Sequence, residues 1–428
     1  MDSRRNERGR NTMKRVLVRG PALSTSGYGE QCRFALRALL AHEERFEVFL
    51  QNINWGRTGW IAMDDKERVM IDQMMGKTSI FLQQGGKFDI SLQVTIPNEW
   101  DNSLAPYNVG YTAGIESTKI APQWIEPSNR MDKIIVVSNH AKQGFDNTSY
   151  SSKNDMNEIR EFKVETPIEV VNYPVRDIEP ETLDLELSSD FNFLSVCQWG
   201  PRKNLEATIF SFIEEFLNED VGLVLKTNIM KNNVTDKAAC HQRLEGFLKN
   251  FPNRKCKIYL VHGNLTSSEM AGLYTHPKIK ALVSTTHGEG FGLPLFEAAY
   301  SGLPIIAPNW SGHVDFLYAP TKDKKTGKFK NRPHFLKLEY VLKQIQPSAV
   351  WEGVLQADSK WCFVKNTNVK KVMREAFNNI EIRELVARKL KKHVLEKFNK
   401  EDIYMQFADA VHESDNAWEN DLDAISEI

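Results

Sequence analysis

Two carboxylates with seven residues between them, Glu289 and Glu297, lie in the run Ser284-Thr-Thr-His-Gly-Glu-Gly-Phe-Gly-Leu-Pro-Leu-Phe-Glu297. An apolar strand ends at Thr285 or Thr286, and Gly288, Gly290 and Gly292 form the turn that carries Glu289. Pro294 stands where a helix start favours proline, because its missing N–H would be unpaired there. Amides of the turn and of the helix N-terminus then converge on one spot, which suits an anion or a cluster of hydroxyl groups. Glu289 can accept hydrogen bonds from ligand hydroxyls. Glu297, one turn into the helix, can take both hydroxyls of a cis-diol such as ribose. A first-turn acid is also favoured by the helix dipole, and a lone loop acid is ordinarily just solvated. The pairing of the acids with the glycines and the proline is what points to a ligand.

Three further places carry chemistry. Trp199-Gly-Pro-Arg-Lys-Asn204 follows a strand and opens a helix, which sets Arg202 and Lys203 at a strand end. Lys226 closes the apolar run Val221–Leu225 and so faces the edge of a parallel sheet where ligands bind. Gly27-Tyr28-Gly29 sits between a strand and a helix, where glycine lets a ligand approach the backbone. That loop is not GxGxxG, and no acid about 20 residues on takes the ribose role, so a dinucleotide fingerprint is poorly supported. The ten histidines show no HExxH and no metal-ligand spacing with cysteine, and there is no GxSxG elbow. Asp421-Leu-Asp423 has a metal-binding form but lies in an acidic tail rather than after a strand.

The elements that must position these residues alternate. Arg15–Arg19, Phe46–Leu50, Asp89–Val94, Val109–Ala113, Lys133–Val137 and Ile168–Asn172 read as strands, with helical patterns between several of them. Ser138 reads as the cap of a helix starting near His140. After a Pro-containing, acid-rich segment the alternation restarts. Strands are expected at Phe191–Cys197, Val221–Lys226, Lys257–Val261, Ala281–Thr285 and Pro304–Ala307. Helices are expected at Lys203–Leu217, Cys240–Phe251, Ser267–Tyr274 (capped by Ser267 or Ser268) and Leu293–Ser301. Glu384–Phe398 reads as an amphipathic helix with Leu385, Val386, Leu390, Val394 and Leu395 on its apolar face. Such alternation argues for two doubly wound parallel sheets with a cleft between them. The expected division is a leader at 1–12, a first domain at 13–173, a linker at 174–190, a second domain at 191–398 and a C-terminal helix with an acidic tail at 399–428. That helix is expected to pack back on the first domain. The segment 320–333 holds a basic loop: Lys322 to Arg332 has six basic residues and one acid. It reads as a solvated loop or as a lip that attracts an anionic acceptor.

Composition narrows the class. At 428 residues two domains are expected, and 41% apolar with 26% charged residues is ordinary for a soluble globular protein. The formal net charge of −1 argues against a generic nucleic-acid coat or a polybasic membrane binder. No run reaches the ~18 apolar residues that span a bilayer, and no signal peptide is legible. Five scattered cysteines without a CxxC pair read as reduced thiols of a cytoplasmic protein.

The stretch His287–Glu297, followed by Ala298-Ala-Tyr-Ser-Gly-Leu-Pro-Ile-Ile-Ala-Pro-Asn-Trp-Ser-Gly312, resembles the donor-site signature of retaining glycosyltransferases of family 4, whose Glu-x7-Glu spacing it shares. The resemblance runs from Arg15 to about Phe407. It implies an α/β GT-B fold, two Rossmann-like doubly wound parallel-sheet domains facing across a cleft. It also implies transfer of a sugar from a nucleotide-sugar to a hydroxyl acceptor without a metal. Lys203, Arg202 and Glu289 would be catalytic. Lys226, Glu297, Gly290, Phe291, Gly292 and Leu293, with Gly27, Tyr28 and Gly29, would bind the donor, and Glu116 would face the acceptor. Family members carry a further arginine where Cys197-Gln198 stand here, and Arg202 would substitute for it. No cofactor is implied beyond a UDP- or GDP-linked donor. The acceptor class stays open among glycan, lipid, protein and modified nucleic acid. Two rivals use the same scaffold: a nucleotide-sugar epimerase or hydrolase, and an inactive relative that only binds a nucleotide-sugar or a glycan.

Overall fold

The computed structural model describes residues 13–61, 66–153 and 159–412. The leader at 1–12, the acidic tail from 413 and Asp421-Leu-Asp423 lie outside the described residues. The first lobe contains strands β1 (Lys14–Gly20), β2 (Phe46–Asn52), β3 (Ile90–Val94), β4 (Tyr107–Thr112) and β5 (Lys133–Val136). A short hairpin, β6 (Ser149–Lys153) and β7 (Ile159–Lys163), precedes β8 (Ile168–Val170). Six of these strands form one parallel sheet in the order β2-β1-β3-β4-β5-β8. Its helices are α1 (Gly27–Leu40), α2 (Lys66–Gln83), α3 (Ile125–Asn129) and α4 (Asn139–Asp146). Val16, Leu17 and Val18 are all buried, as expected of a parallel strand covered on both faces.

The second lobe repeats the plan. Strands β9 (Asn192–Gln198), β10 (Gly222–Asn228), β11 (Lys257–Val261), β12 (Ile279–Val283) and β13 (Ile305–Pro308) come first. They are followed by β14 (Tyr318–Lys322), β15 (Phe329–Pro333), β16 (Leu336–Leu338), β17 (Tyr340–Gln344) and β18 (Lys360–Val364). The parallel sheet runs β11-β10-β9-β12-β13-β16. Helices α5 (Leu205–Phe216), α6 (Val234–Leu248), α7 (Ser267–Thr275), α8 (Leu293–Ser301), the short α9 (Val314–Leu317) and α10 (Asn366–Asn378) accompany it. Strand order reverses between β9 and β12, so the loops leaving these two strands lie side by side at the switch point where such sheets bind ligands.

Among the described residues, three chain segments run between the lobes. Residues 171–190 hold no helix or strand, yet the Val175 N–H donates to the Phe398 carbonyl at 2.7 Å and the Glu181 N–H to the Ser268 carbonyl at 3.0 Å. Helices α11 (Ile380–Lys397) and α12 (Lys400–Val411) close the chain. Helix α12 lies on α1, where Phe407 meets Phe34 with ring centroids 4.9 Å apart, and its Asp409 pairs at 2.8 Å with Arg45, in the turn before β2. Burying one such aromatic stabilises by about 1.5–3 kcal/mol. Finally, the loop between β17 and β18 crosses to the first lobe. There Val354 enters the core beside Ile120 and Trp124, and the Lys360 N–H donates to Thr118 Oγ1 at 2.9 Å.

Several local expectations need correction. Helix α6 starts at Val234, six residues before Cys240, because Asn233 caps it with its side chain on the Asp236 N–H. Its first turn is mostly polar and Val234 is 85% exposed, so the apolar period is silent there. Thr266, not a following serine, caps α7 in a reciprocal capping box with Glu269. Helix α5 starts at Leu205, since Pro201–Lys203 forms a separate short turn and Asn204 breaks the path with φ 50°. On α11 the buried side chains are Ala387, Leu390 and Val394, whereas Leu385 and Leu395 are exposed. The basic loop is an antiparallel ribbon, β14 paired with β15.

Candidate active site

The loops after β9 and β12 are laced together. Asn204 Nδ2 donates to the Thr285 carbonyl at 3.1 Å, and Thr285 Oγ1 donates to the Asn204 carbonyl at 2.7 Å. This brings Lys203 to Glu289, with Nζ at 2.7 Å from both carboxylate oxygens. Arg202 donates through Nη1 to the Gly288 carbonyl at 2.6 Å and to Glu289 Oε2 at 3.3 Å. Its Nη2 pairs with Glu116 Oε1 of the first lobe at 3.0 Å. Four residues from three loops and both lobes thus form one charge cluster. Burial opposes ionisation of Glu289, but Lys203 and Arg202 outweigh it and hold the carboxyl down at about 2.

The backbone around Glu289 is fixed from behind. Its N–H donates to Ser311 Oγ at 3.0 Å, and its carbonyl accepts from the Gly312 N–H at 2.9 Å. His313 Nε2 donates to the Pro308 carbonyl at 2.7 Å, which leaves Nδ1 to accept from Ser311 Oγ at 3.3 Å. Among the described residues, the non-glycine residues with positive φ are Asn204 (50°) and Ser311 (82°), and both adjoin this cluster. Backbone strain collects at sites where surrounding structure over-determines it.

The glycine turn packs against the end of β4. A Cβ on Gly290 would lie 2.8 Å from the Ala113 carbonyl oxygen, and one on Gly288 would lie 2.4 Å from that of Glu116. Ser138 Oγ donates across the lobes to the Gly290 carbonyl at 2.6 Å while capping α4 on the Ala141 N–H. Among the described residues nothing accepts a hydrogen bond from the amides of Gly290, Phe291 and Gly292. The Phe291 ring is buried among Tyr173, Phe296 and Phe316, so only its backbone is offered to a ligand. Gly292 caps α8 with φ 91°, and Leu293 opens the helix.

Glu297 occupies a separate position on α8. Tyr274 of α7 donates its hydroxyl to Oε2 at 2.8 Å. Burial pushes the Glu297 carboxyl up to about 7, against the smaller lowering from Tyr274 and Arg176. Lys226 makes its own contact: its Nζ donates to the Gly263 carbonyl at 2.6 Å, and burial lowers its pKa. It braces the loop after β11. There His262 Nε2 meets Asp236 Oδ2 at 2.8 Å, and Asp236, Cys240 and His262 have ligand atoms within 4.8 Å of one another. Asp236 already accepts from the amides of Ile229, Met230 and Lys231, so its carboxylate organises the loop between β10 and α6.

In the first lobe, Gly27-Tyr28-Gly29 forms the first turn of α1. Ser26 Oγ caps the Gly29 N–H, and a Cβ on Gly29 would lie 1.9 Å from the Ser24 carbonyl oxygen. The Tyr28 hydroxyl is hydrogen-bonded to Thr112 Oγ1 at 2.8 Å, and its ring lies against Trp55 with centroids 4.4 Å apart. Sequence reasoning missed Tyr274, Ser311, His313 and the second role of Ser138. Only Ser138 carried a signal, its cap position, and that signal speaks of α4 rather than of the opposite lobe.

No family model and no curated protein matches the chain. Solved structures do. A sucrose-phosphate synthase from Thermosynechococcus elongatus aligns with a TM-score of 0.59 at 12% identity, over 92% of this chain and 98% of that one. HepE from Anabaena, in complex with UDP and glucose, aligns with a TM-score of 0.56 at 11% identity, over 93% of this chain and 99% of that one. TarM from S. aureus aligns with a TM-score of 0.47 at 15% identity, and there the chain spans 55% of the matched chain's length. Among the described residues no helix is long and apolar enough to cross a membrane. With two parallel six-stranded sheets flanked by helices and the first two alignments covering nearly the whole chain, the architecture is GT-B: two Rossmann-like domains facing across a cleft.

Proposed function

We propose that this chain is a retaining glycosyltransferase that moves a sugar from a UDP- or GDP-linked donor to a hydroxyl acceptor. The observation that carries the reading is the Lys203–Glu289–Arg202 cluster, set beside the unpaired amides of Gly290, Phe291 and Gly292. Lys203 has three N–H donors and Arg202 five. Glu289, Glu116 and the Gly288 carbonyl occupy only some of them, so both cations are held rigid with donors left over. Fixed cations aimed at a departing diphosphate stabilise the charge that grows there, at ~2.7–4 kcal/mol per such contact. They supply positive charge that other transferases take from a divalent ion.

Glu289, ionised by its cations, accepts hydrogen bonds from hydroxyls of the donor sugar, while the turn amides position it. Glu297 receives the ribose hydroxyls. In the reaction the bond from the anomeric carbon to the diphosphate oxygen breaks. The acceptor oxygen bonds to the same face of that carbon, and its proton passes to the departing phosphate. Two structures of one similar fold support the donor class: HepE is in complex with UDP and glucose in one and with UDP-glucose in the other.

A thermal-shift screen with UDP, GDP, ADP and their common sugars identifies the donor, since a ligand at 100 times its Kd adds ~2.7 kcal/mol of stability. Turnover of that donor with and without hydroxyl acceptors then tests the reaction. Consumption without any acceptor would instead indicate a hydrolase or epimerase, and tight binding with no turnover a binding protein.

A further inference from the structure

The β14–β15 ribbon carries a dense patch of positive charge. Residues 322–332 hold six basic side chains and one acid, a net +5, in a chain whose total is −1. The single acid is consumed by the turn: Asp323 accepts from the amides of Lys325 and Thr326 at 3.0 Å each, with Arg332 3.9 Å away. Among the described residues, Lys322, Lys324, Lys325, Lys328 and Lys330 have no ion-pair partner, and all five are exposed.

The register decides how that charge is displayed. Lys322 stands opposite Phe329, and the adjacent pair is Thr321 and Lys330. Successive pairs point to opposite faces of a ribbon. Lys322 and Phe329 therefore share one face, Lys330 and Arg332 the other, and Lys324, Lys325 and Lys328 surround the tip. Phe329 is 69% exposed. At the root, His393 of α11 lies within electrostatic reach of His334, and Lys389 and Lys397 lie a turn to either side of it on the same face of α11. The cationic surface thus continues onto the body of the lobe.

Edge protection against aggregation needs only a charge or two on a strand. A membrane surface is flat and presents its anions on one side. Cations on both faces and at the tip instead match a partner whose phosphates stand on both sides of the inserted element. A nucleic-acid groove has that shape, and the major groove of a duplex admits a two-stranded ribbon. We propose that the β14–β15 ribbon binds double-stranded DNA by entering its groove, with the lysines on the flanking phosphates and Phe329 against the bases or sugars. This binding does not depend on the transferase reading and is measured without donor or turnover.

The test uses the full chain and a fluorescent duplex of about 20 base pairs, with anisotropy followed from about 50 to about 200 mM salt. Neutralising five phosphates predicts a slope of log K against log salt of about −4.5. The K322A/K325A/K328A/K330A variant should lose about four contacts, so the slope flattens by nearly four units and affinity falls at least ~100-fold at the lowest salt. Its melting temperature should match the parent chain, because all four side chains are exposed. Phe329→Ala should weaken binding without changing the slope. Absence of salt-dependent binding, or an unchanged slope in the quadruple variant, would overturn the proposal. So would equal capture by polyglutamate, or tighter binding to phosphatidylserine vesicles than to the duplex.

Discussion

Arg202 of the second lobe and Glu116 of the first are paired at 3.0 Å, while the same guanidinium reaches Glu289 at 3.3 Å. One side chain therefore couples lobe closure to the charge cluster. Replacing Glu116 by Gln should remove the cross-lobe attraction but leave Lys203 and Glu289 paired. Both partners are about a quarter exposed, so stability should change by less than about 1 kcal/mol. We expect kcat to fall about 10-fold as Arg202 loses its orientation. Thermal melts and steady-state kinetics on one preparation separate the two effects.

Lys203→Ala should cost more than Glu116→Gln. It leaves the buried Glu289 carboxylate with Arg202 alone, a change of about 3 kcal/mol in stability. In the proposed role it would also remove a cation from the diphosphate, so kcat should drop about 100- to 1,000-fold. Lys203→Ala with Glu289→Gln should recover stability but not turnover. Activity near the parent value in Lys203→Ala would reject its assignment.

The pH dependence of stability follows from Glu289. Its folded pKa, about 2, lies below the ordinary 4.5, so its stabilisation is fully present above about 4.5 and is lost as pH falls toward about 2. Urea melts across that window should show a loss that Glu289→Gln abolishes.

Glu297 titrates in the opposite sense. Its folded pKa, about 7, is raised above 4.5, so the folded state loses stability as pH rises from about 4.5 to about 7. In the proposed ribose role, donor binding should improve over the upper part of that range, because an ionised carboxylate would accept both ribose hydroxyls. Tyr274→Phe removes a hydrogen bond to that carboxylate and should move the midpoint of kcat/KM upward, with kcat little altered. A profile unchanged in both Glu297→Gln and Tyr274→Phe would sink the ribose assignment.

Gly290→Ala tests the closed geometry. The added Cβ meets the Ala113 carbonyl oxygen at 2.8 Å and the Ala113 Cβ at 3.3 Å, both in the other lobe. The lobes should part slightly, seen as a larger radius of gyration in solution scattering. Turnover should fall at least about 10-fold, since sub-ångström misplacement of reacting groups is costly.

Strands of both sheets except β16 were legible because parallel strands covered on two faces need unbroken apolar runs, as in Val221–Leu225. The start of α6 was not, because its first turn is mostly polar and its signal is the Asn233 cap. Nor was the path of residues 345–359, since Val354 is a single apolar residue in a loop and its neighbours in space are Ile120 and Trp124.

Within the candidate site, the local chemistry was written in the chain. The glycines, Pro294, Glu289 and Glu297 act through a turn and the helix that follows it, and spacing alone sets those positions. Arg202 and Lys203 were legible as cations at a strand end. Their partners were not: Arg202 meets Glu116, Ser138 meets Gly290, and Lys226 meets the Gly263 carbonyl. Backbone preference and apolar period act over a few residues, so they fix elements and turns. Which charge faces which depends on how two separately folded sheets come to rest against each other, and only the packed molecule decides that.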